Sequence, residues 1–302
     1  DGTRYQMFGD RLDPWDEKDN PYWIINKNNL FDDTQRWTGS VKARADIAKW
    51  WFISYSLGLD TYTQTNSNRI APGGAIKQLW QKGMMSDNTM RFRYISHNFM
   101  SNMNKQFGKF DVNLMLGASI EDTSTDRTSM MAYNFSVPGF FSYSNTDAGN
   151  KQFAHSASQK RLAGVFGEVR ASWNNTVFLT VTGRNDWTST LPKENRSYFY
   201  PSLSGSFVFT EPLMKAGILD NNSVITFGKI RASWAEVGKD TGVYETSTAL
   251  WPVGTYLEGL VGVGNNWERG NPYLKPEKTR STELAIELAT FNNRLRFDYA
   301  YY

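Results

Sequence analysis

Between residues 36 and 47 the chain alternates without a break. Trp37, Gly39, Val41, Ala43, Ala45 and Ile47 take the odd positions, and Arg36, Thr38, Ser40, Lys42, Arg44 and Asp46 the even ones. Side chains of a strand point to opposite faces in turn, so this run predicts a strand with one apolar and one charged surface. The pattern recurs at 51–60, 110–121, 163–173, 176–186, 203–209, 283–288 and 295–301, and more weakly near 90–103 and 224–234. It predicts roughly ten strands of about 9–14 residues, the length a tilted strand needs to cross a bilayer.

The connectors separate a barrel from a soluble sandwich. Links near 48–50, 104–109, 174–175 and 291–293 are short, whereas those near 65–88, 122–159, 187–196 and 235–278 are longer; 211–222 is the one long member of the short set. Short and long links alternate in chain order. An up-and-down membrane barrel produces that order, with tight turns at one end and extended loops at the other. A sandwich has no reason to keep its long loops together.

The charged positions agree. Arg44, Asp60, Glu168, Arg170, Arg184, Asp186, Lys229, Arg231, Glu283 and Glu287 project from mid-strand. In a packed core each unpaired ion would cost several kcal/mol, whereas in a hydrated lumen these groups stay solvated. Aromatic residues make up 15% of the chain, with 11 Trp, although mean hydropathy is −0.54. Such a polar yet ring-rich chain fits a barrel with a wet interior and aromatic girdles at both interfaces. Tryptophans fall at strand ends, at Trp37, Trp51, Trp173 and Trp234. No apolar run is long enough for a transmembrane helix. The start, DGTRYQMFGD, has neither an initiator Met nor a leader and is expected to be internal or processed.

Composition narrows function further. With no cysteine, disulfide scaffolds, thiol catalysis and cysteine metal sites are excluded. Two histidines, His97 and His155, leave little for a histidine metal site, and 33 basic against 30 acidic residues does not suggest nucleic acid. His155-Ser156 lacks a nucleophile elbow, and Glu283 and Glu287 read as lining on one strand face rather than an acid/base pair. The acidic cluster Asp10, Asp13, Asp16, Glu17 and Asp19 lacks the Gly and final Glu of an EF-hand loop. No catalytic, cofactor-binding or metal-binding residue is therefore expected.

Several stretches carry a resemblance. GNPYLKPEKT (270–279), an alternating strand, and FNNRLRFDYAYY (291–302) resemble the SusC/RagA-like TonB-dependent transporters of Bacteroidetes. NPYWIINKNN (20–29), TVFLTVTGRNDWTSTLP (176–192), YFYPSLSGSFVFTE (198–211) and KIRASWAEVGKDTG (229–242) are similar to further segments of that family, in the family's order. Ala235–Lys239 departs from it where a Gly-rich turn ending in Asn is usual. The resemblance implies an outer-membrane barrel of about 22 strands enclosing a plug domain. The plug is absent here, and about ten strands cannot close such a barrel, so the chain is expected to be part of a longer protein.

The resemblance further implies active import of a glycan oligomer or peptide across a Gram-negative outer membrane. A SusD-like surface lipoprotein would lid the mouth, and TonB would pull on the plug. Ligand or lid contacts are expected from loop aromatics: Trp80, Tyr143, Trp187, Tyr244, Trp251, Tyr256 and Trp267. Two other functions remain open on sequence. A siderophore or cobalamin receptor would use the same scaffold; a soluble all-β carbohydrate-binding or adhesion module would bring the apolar faces together in one core.

Overall fold

The computed structural model describes residues 21–73, 80–220, 223–256, 260–265 and 267–302; the acidic cluster at 10–19 lies outside them. Ten strands form one antiparallel sheet in the order β1-β2-β3-β4-β5-β6-β7-β8-β11-β12. They are β1 (Asn29–Ala48), β2 (Trp51–Ile70), β3 (Met84–Phe107), β4 (Phe110–Tyr133), β5 (Lys151–Trp173), β6 (Val177–Thr188), β7 (Ser197–Val208), β8 (Ile225–Lys239), β11 (Glu277–Thr290) and β12 (Leu295–Tyr301). Strands β9 (Leu250–Tyr256) and β10 (Leu260–Asn265) pair as a separate hairpin within the β8–β11 connection. Every neighbour in the large sheet up to β8 is the next strand in sequence, the order of an up-and-down wall.

Two of the tight links take a left-handed backbone, mostly at asparagine. Asn174 and Asn175 turn β5 into β6 with φ of 52° and 55°, and Phe291, Asn292 and Asn293 turn β11 into β12 with φ of 53–64°. Asparagine adopts this region at low cost, which is why it closes hairpins. The long 209–224 link contains a short helix, α2 (Thr210–Lys215), that alternation could not reveal.

Register carries the alternation from strand to strand. Trp173, Val177, Phe207, Ile230, Ile286 and Tyr299 form one cross-strand row, and Val169, Val181, Leu203 and Trp234 another. Between them on the opposite face run Arg170, Thr180, Ser204, Ser233 and Glu283. The apolar rows are open: Trp173 is 45% exposed, Ile230 48% and Tyr299 67%. A water-soluble sheet would bury these rings and branched side chains. A soluble module with its apolar faces joined in one core is thus excluded, and the surface is built to be covered by lipid.

The apolar band ends sharply along the strands. On β8 and β11 the pair after Trp234 and Thr282 is Glu236 and Arg280. Glu236 is bonded by Lys278 at 2.6 Å and Arg280 at 2.8 Å. On β5 the position beyond Ala163 is Arg161, which holds Asp122 at 2.7 Å. Ions on the apolar-parity face mark where the hydrocarbon stops.

Two compact units divide the chain's contacts. The first holds residues 1–39, 59–94 and 123–159, so it contains one end of each of β1 to β5 and the loops 71–83 and 134–150. Helix α1 (Pro21–Lys27) belongs to it, with the Trp23 ring about 3.6 Å from the position a side chain on Gly73 would take. A small cluster of Met85, Ala132 and Phe135, with Phe141 and Tyr143 against it, packs the loop 134–150 onto the strand tips. The second unit holds 40–58, 95–122 and 160–302.

Two expectations about length need correction. Strands β1 to β5 have 20–24 residues rather than 9–14. The loops are correspondingly shorter, at 71–83, 134–150, 189–196 and 240–276. Past the apolar band both faces turn polar, which erases the period-two signal while the backbone ladder continues.

A charge placed in the apolar row should therefore act unlike the same charge one residue away. In the parent protein, Val181→Arg is expected to cost about 2–4 kcal/mol near the bilayer midplane, and Thr180→Arg almost nothing. The folded fraction of each variant in outer-membrane extracts, read as the heat-modifiable band on a gel, checks this.

Candidate functional site

All ten charged residues singled out in the sequence lie on strands of the large sheet. Register places Glu168, Arg170, Arg184, Asp186, Lys229, Arg231, Glu283 and Glu287 on the polar face. Arg44 and Asp60 share the polar parity of β1 and β2, where Arg36 grips Asp60 with two bonds of 2.7 and 2.8 Å. Arg44 pairs with Asp46 and stacks over the Phe52 ring at 3.8 Å. Arg170 pairs with Glu168 at 2.6 Å, and Arg231 with Asp298 at 2.7 Å.

Arg184 is the most connected of them. Its Nε donates to Asp186 at 2.7 Å, its Nη2 to Ser119 at 3.0 Å, and its guanidinium lies 5.3 Å from the Phe166 ring centre. Tyr200 donates to the other Asp186 oxygen. A side chain at Gly117 would collide with Phe166, and one at Gly164 with Asp186 and Arg184. Two glycines thus open the space that lets an aromatic ring and an ion pair lie flat on the sheet. Within this network the one cation and the one carboxylate are matched to each other and to neighbouring hydroxyls.

The aromatic candidates separate by position. Trp187 is not a loop residue: it ends β6 on the apolar face opposite Ala163, because the strand runs one turn of the pleat further than alternation suggested. It belongs to the aromatic border of the band rather than to the polar face. Tyr143 is half-buried, its hydroxyl donating to Asp87 at 2.7 Å. Trp80 is half-buried in the turn before β3. Tyr244 is 61% exposed with φ of 67°, and Trp267 is 99% exposed. The Trp251 and Tyr256 backbones lie in the β9–β10 hairpin, and their side chains lie outside the described residues.

The GNPYL segment is a clamp between loops. Asn271 accepts from the Tyr273 backbone N–H at 2.9 Å, and its own N–H reaches Glu245 at 3.0 Å. Asn195 donates to the Leu274 carbonyl at 3.0 Å. A side chain on Gly270 would overlap the Ser247 backbone, so only glycine fits.

Alternation could not disclose a groove on the polar side of β2 to β5, within the first unit. Its volume is roughly 440 Å³, and its lining includes Gln64, Asn88, Met90, Arg127, Ser129 and Ser156. These residues sit where the strands run past the apolar band. A second hollow of roughly 290 Å³ lies on the polar face of β6 to β8 beside Lys229 and Arg231.

An antiparallel wall with one lipid-matched face and one ion-paired face is part of a transmembrane β-barrel. The family model described as TonB dependent receptor-like, beta-barrel, matches residues 1–302, and the chain belongs to that family, whose members are outer-membrane transporters. Two curated relatives are TonB-dependent receptors P26 and P3 of Formosa agariphila. P26 is 30% identical over 62% of this chain and 19% of its own length; P3 is 29% identical over 69% and 21%. The chain thus spans about a fifth of these relatives. Among solved structures, the RagAB peptide transporter superposes with a TM-score of 0.82 at 18% identity, over 93% of this chain and 31% of that one.

The Asp87 network sets a testable pH response beyond the band. Burial pushes the Asp87 carboxyl up, but hydrogen bonds from Ser67, Tyr143 and Arg69 outweigh it and hold the pKa below the ordinary value. A depressed folded pKa contributes stability above the unfolded value of about 3.9, and that stability is lost as pH falls through the lower folded value. Hydrogen-exchange protection of loop 134–150 should hold at neutral pH and fall only in strong acid. Tyr143→Phe should weaken it at neutral pH by about 1 kcal/mol.

Proposed function

We propose that this chain forms part of the barrel wall of an outer-membrane, TonB-dependent active importer for an oligosaccharide or peptide, working with a SusD-like surface lipoprotein. In this reading the apolar rows face lipid and the ion-paired face lines the lumen. The tight turns at 49–50, 108–109, 174–176 and 291–294 face the periplasm, and the long ends of β1 to β5 stand on the extracellular side. The observation that carries it is the exposed apolar face backed by a polar face rich in ion pairs, on a fold that superposes on the RagAB peptide transporter.

The wall performs no bond chemistry in this scheme. Its carboxylates and guanidinium groups keep the lumen hydrated. Energy reaches the transporter through TonB acting on a plug inside the barrel, as the resemblance implies. Loops 189–196, 240–276 and 134–150 supply the contacts for cargo and lid, with Tyr244 and Trp267 among the accessible rings.

The test is native extraction of the parent protein from outer membranes. The expected result is recovery only in detergent, with a SusD-like lipoprotein in the same fraction. Deleting the gene should abolish growth on one oligomeric nutrient and spare growth on its monomer. Recovery as a soluble protein, or unchanged growth on every oligomer when the proton-motive force is intact, would overturn the importer reading.

A further inference from the structure

The groove on the polar side of β2 to β5 contains a cation with no carboxylate partner among the described residues. Arg36, Arg69, Arg91, Arg161 and Arg184 each hold a carboxylate at 2.7–3.6 Å. Arg127 does not: its guanidinium is exposed, and among the described residues its one recorded neighbour is the Met90 sulfur, 3.4 Å from Nε. A thioether is a weak acceptor, so most of the five donors of this side chain are offered to the groove. A guanidinium in that state is matched by an oxyanion, best by a carboxylate that takes two parallel bonds.

The remaining lining says what the oxyanion is attached to. Gln64, Asn66, Asn88, Ser129 and Ser156 present amide and hydroxyl groups, each able to donate and accept. No Trp, Tyr or Phe lines the groove among the described residues, so the flat platform on which sugar rings stack is lacking. Side-chain amides instead match the alternating N–H and C=O groups of an extended peptide. Met90 and Ala154 add a small apolar contact beside Arg127. Gln64 is steadied by Asp32 at 2.8 Å and Asn88 by Ser129, so these amides are held in place before any ligand arrives.

We infer that this groove binds the C-terminal end of an extended peptide, with Arg127 holding the terminal carboxylate and the Gln64, Asn66 and Asn88 amides reading the backbone. The inference rests on the importer reading and selects peptide over oligosaccharide as cargo. It assigns the selectivity to strand residues, none of which was among the aromatic loop candidates. The volume, roughly 440 Å³, holds a few residues of a chain and not a folded protein.

The test uses the full-length parent protein purified in detergent and three probes. These are a fluorescent pentapeptide mixture with free C-termini, the same mixture amidated at the C-terminus, and an oligosaccharide of uronic acids. Wild type is expected to bind the free acid about tenfold or more tightly than the amide. Arg127→Gln should remove that difference by weakening the free acid far more than the amide, and Arg127→Lys should restore part of it. The heat-modifiable band on a gel confirms that both variants fold. Equal binding of acid and amide by wild type, or equal preference in wild type and Arg127→Gln, would overturn the assignment. Binding of the uronic oligosaccharide without either peptide would overturn it while leaving the importer reading intact. Failure of TonB-dependent uptake for every oligomer would instead remove the importer reading itself.

Discussion

Everything in this sheet depends on one constraint: in hydrocarbon, each backbone N–H and C=O must find its partner within the protein. A helix satisfies them along its own axis, but no helix in the described residues is long and apolar enough to cross a membrane. The ladder satisfies them between strands, and once it is laid the side chains are fixed in alternation. The exposed row from Trp173 to Tyr299 and the matched ions behind it follow from the same pleat. So does the abrupt change at Glu236 and Arg280, where the band ends and charge becomes tolerable on the outer parity.

The polar face has a second constraint. Long charged side chains standing off a sheet need somewhere to lie, and glycine supplies the room. At Gly117 and Gly164 the missing side chains let Phe166, Arg184 and Asp186 fold down and bond across strands. Removing one member would leave a charge or a donor without its match, so the network behaves as a unit.

Much of the fold was legible in the sequence because alternation is a direct image of the ladder. The ten strands of the sheet, the tight turns and the two-faced character all follow from it. What alternation could not show lay where neither face is apolar. The distal halves of β2 to β5 read as loop because polar residues fill both parities, and the groove with Arg127 lies there. Trp187 was misplaced for a related reason: Thr188 and Ser189 look like the start of a loop, yet the ladder holds through Thr188. The GNPYL motif was visible as a resemblance, whereas its work as a clamp between Asn195 and Glu245 needed coordinates.

β3 and β4, at 24 residues each, are more than twice as long as a tilted crossing of a bilayer needs. At about 3.3 Å per residue, such strands exceed the thickness of a hydrocarbon core, and each is hydrogen-bonded to its neighbours in the sheet. A binding face written on that surface can be revised one alternate position at a time, as on a fixed grid, without disturbing the geometry of its neighbours. Insertion of a single residue does the reverse: it exchanges the two faces of everything beyond it. Specificity on such a wall can therefore drift freely by substitution, while its length and phase are held nearly constant.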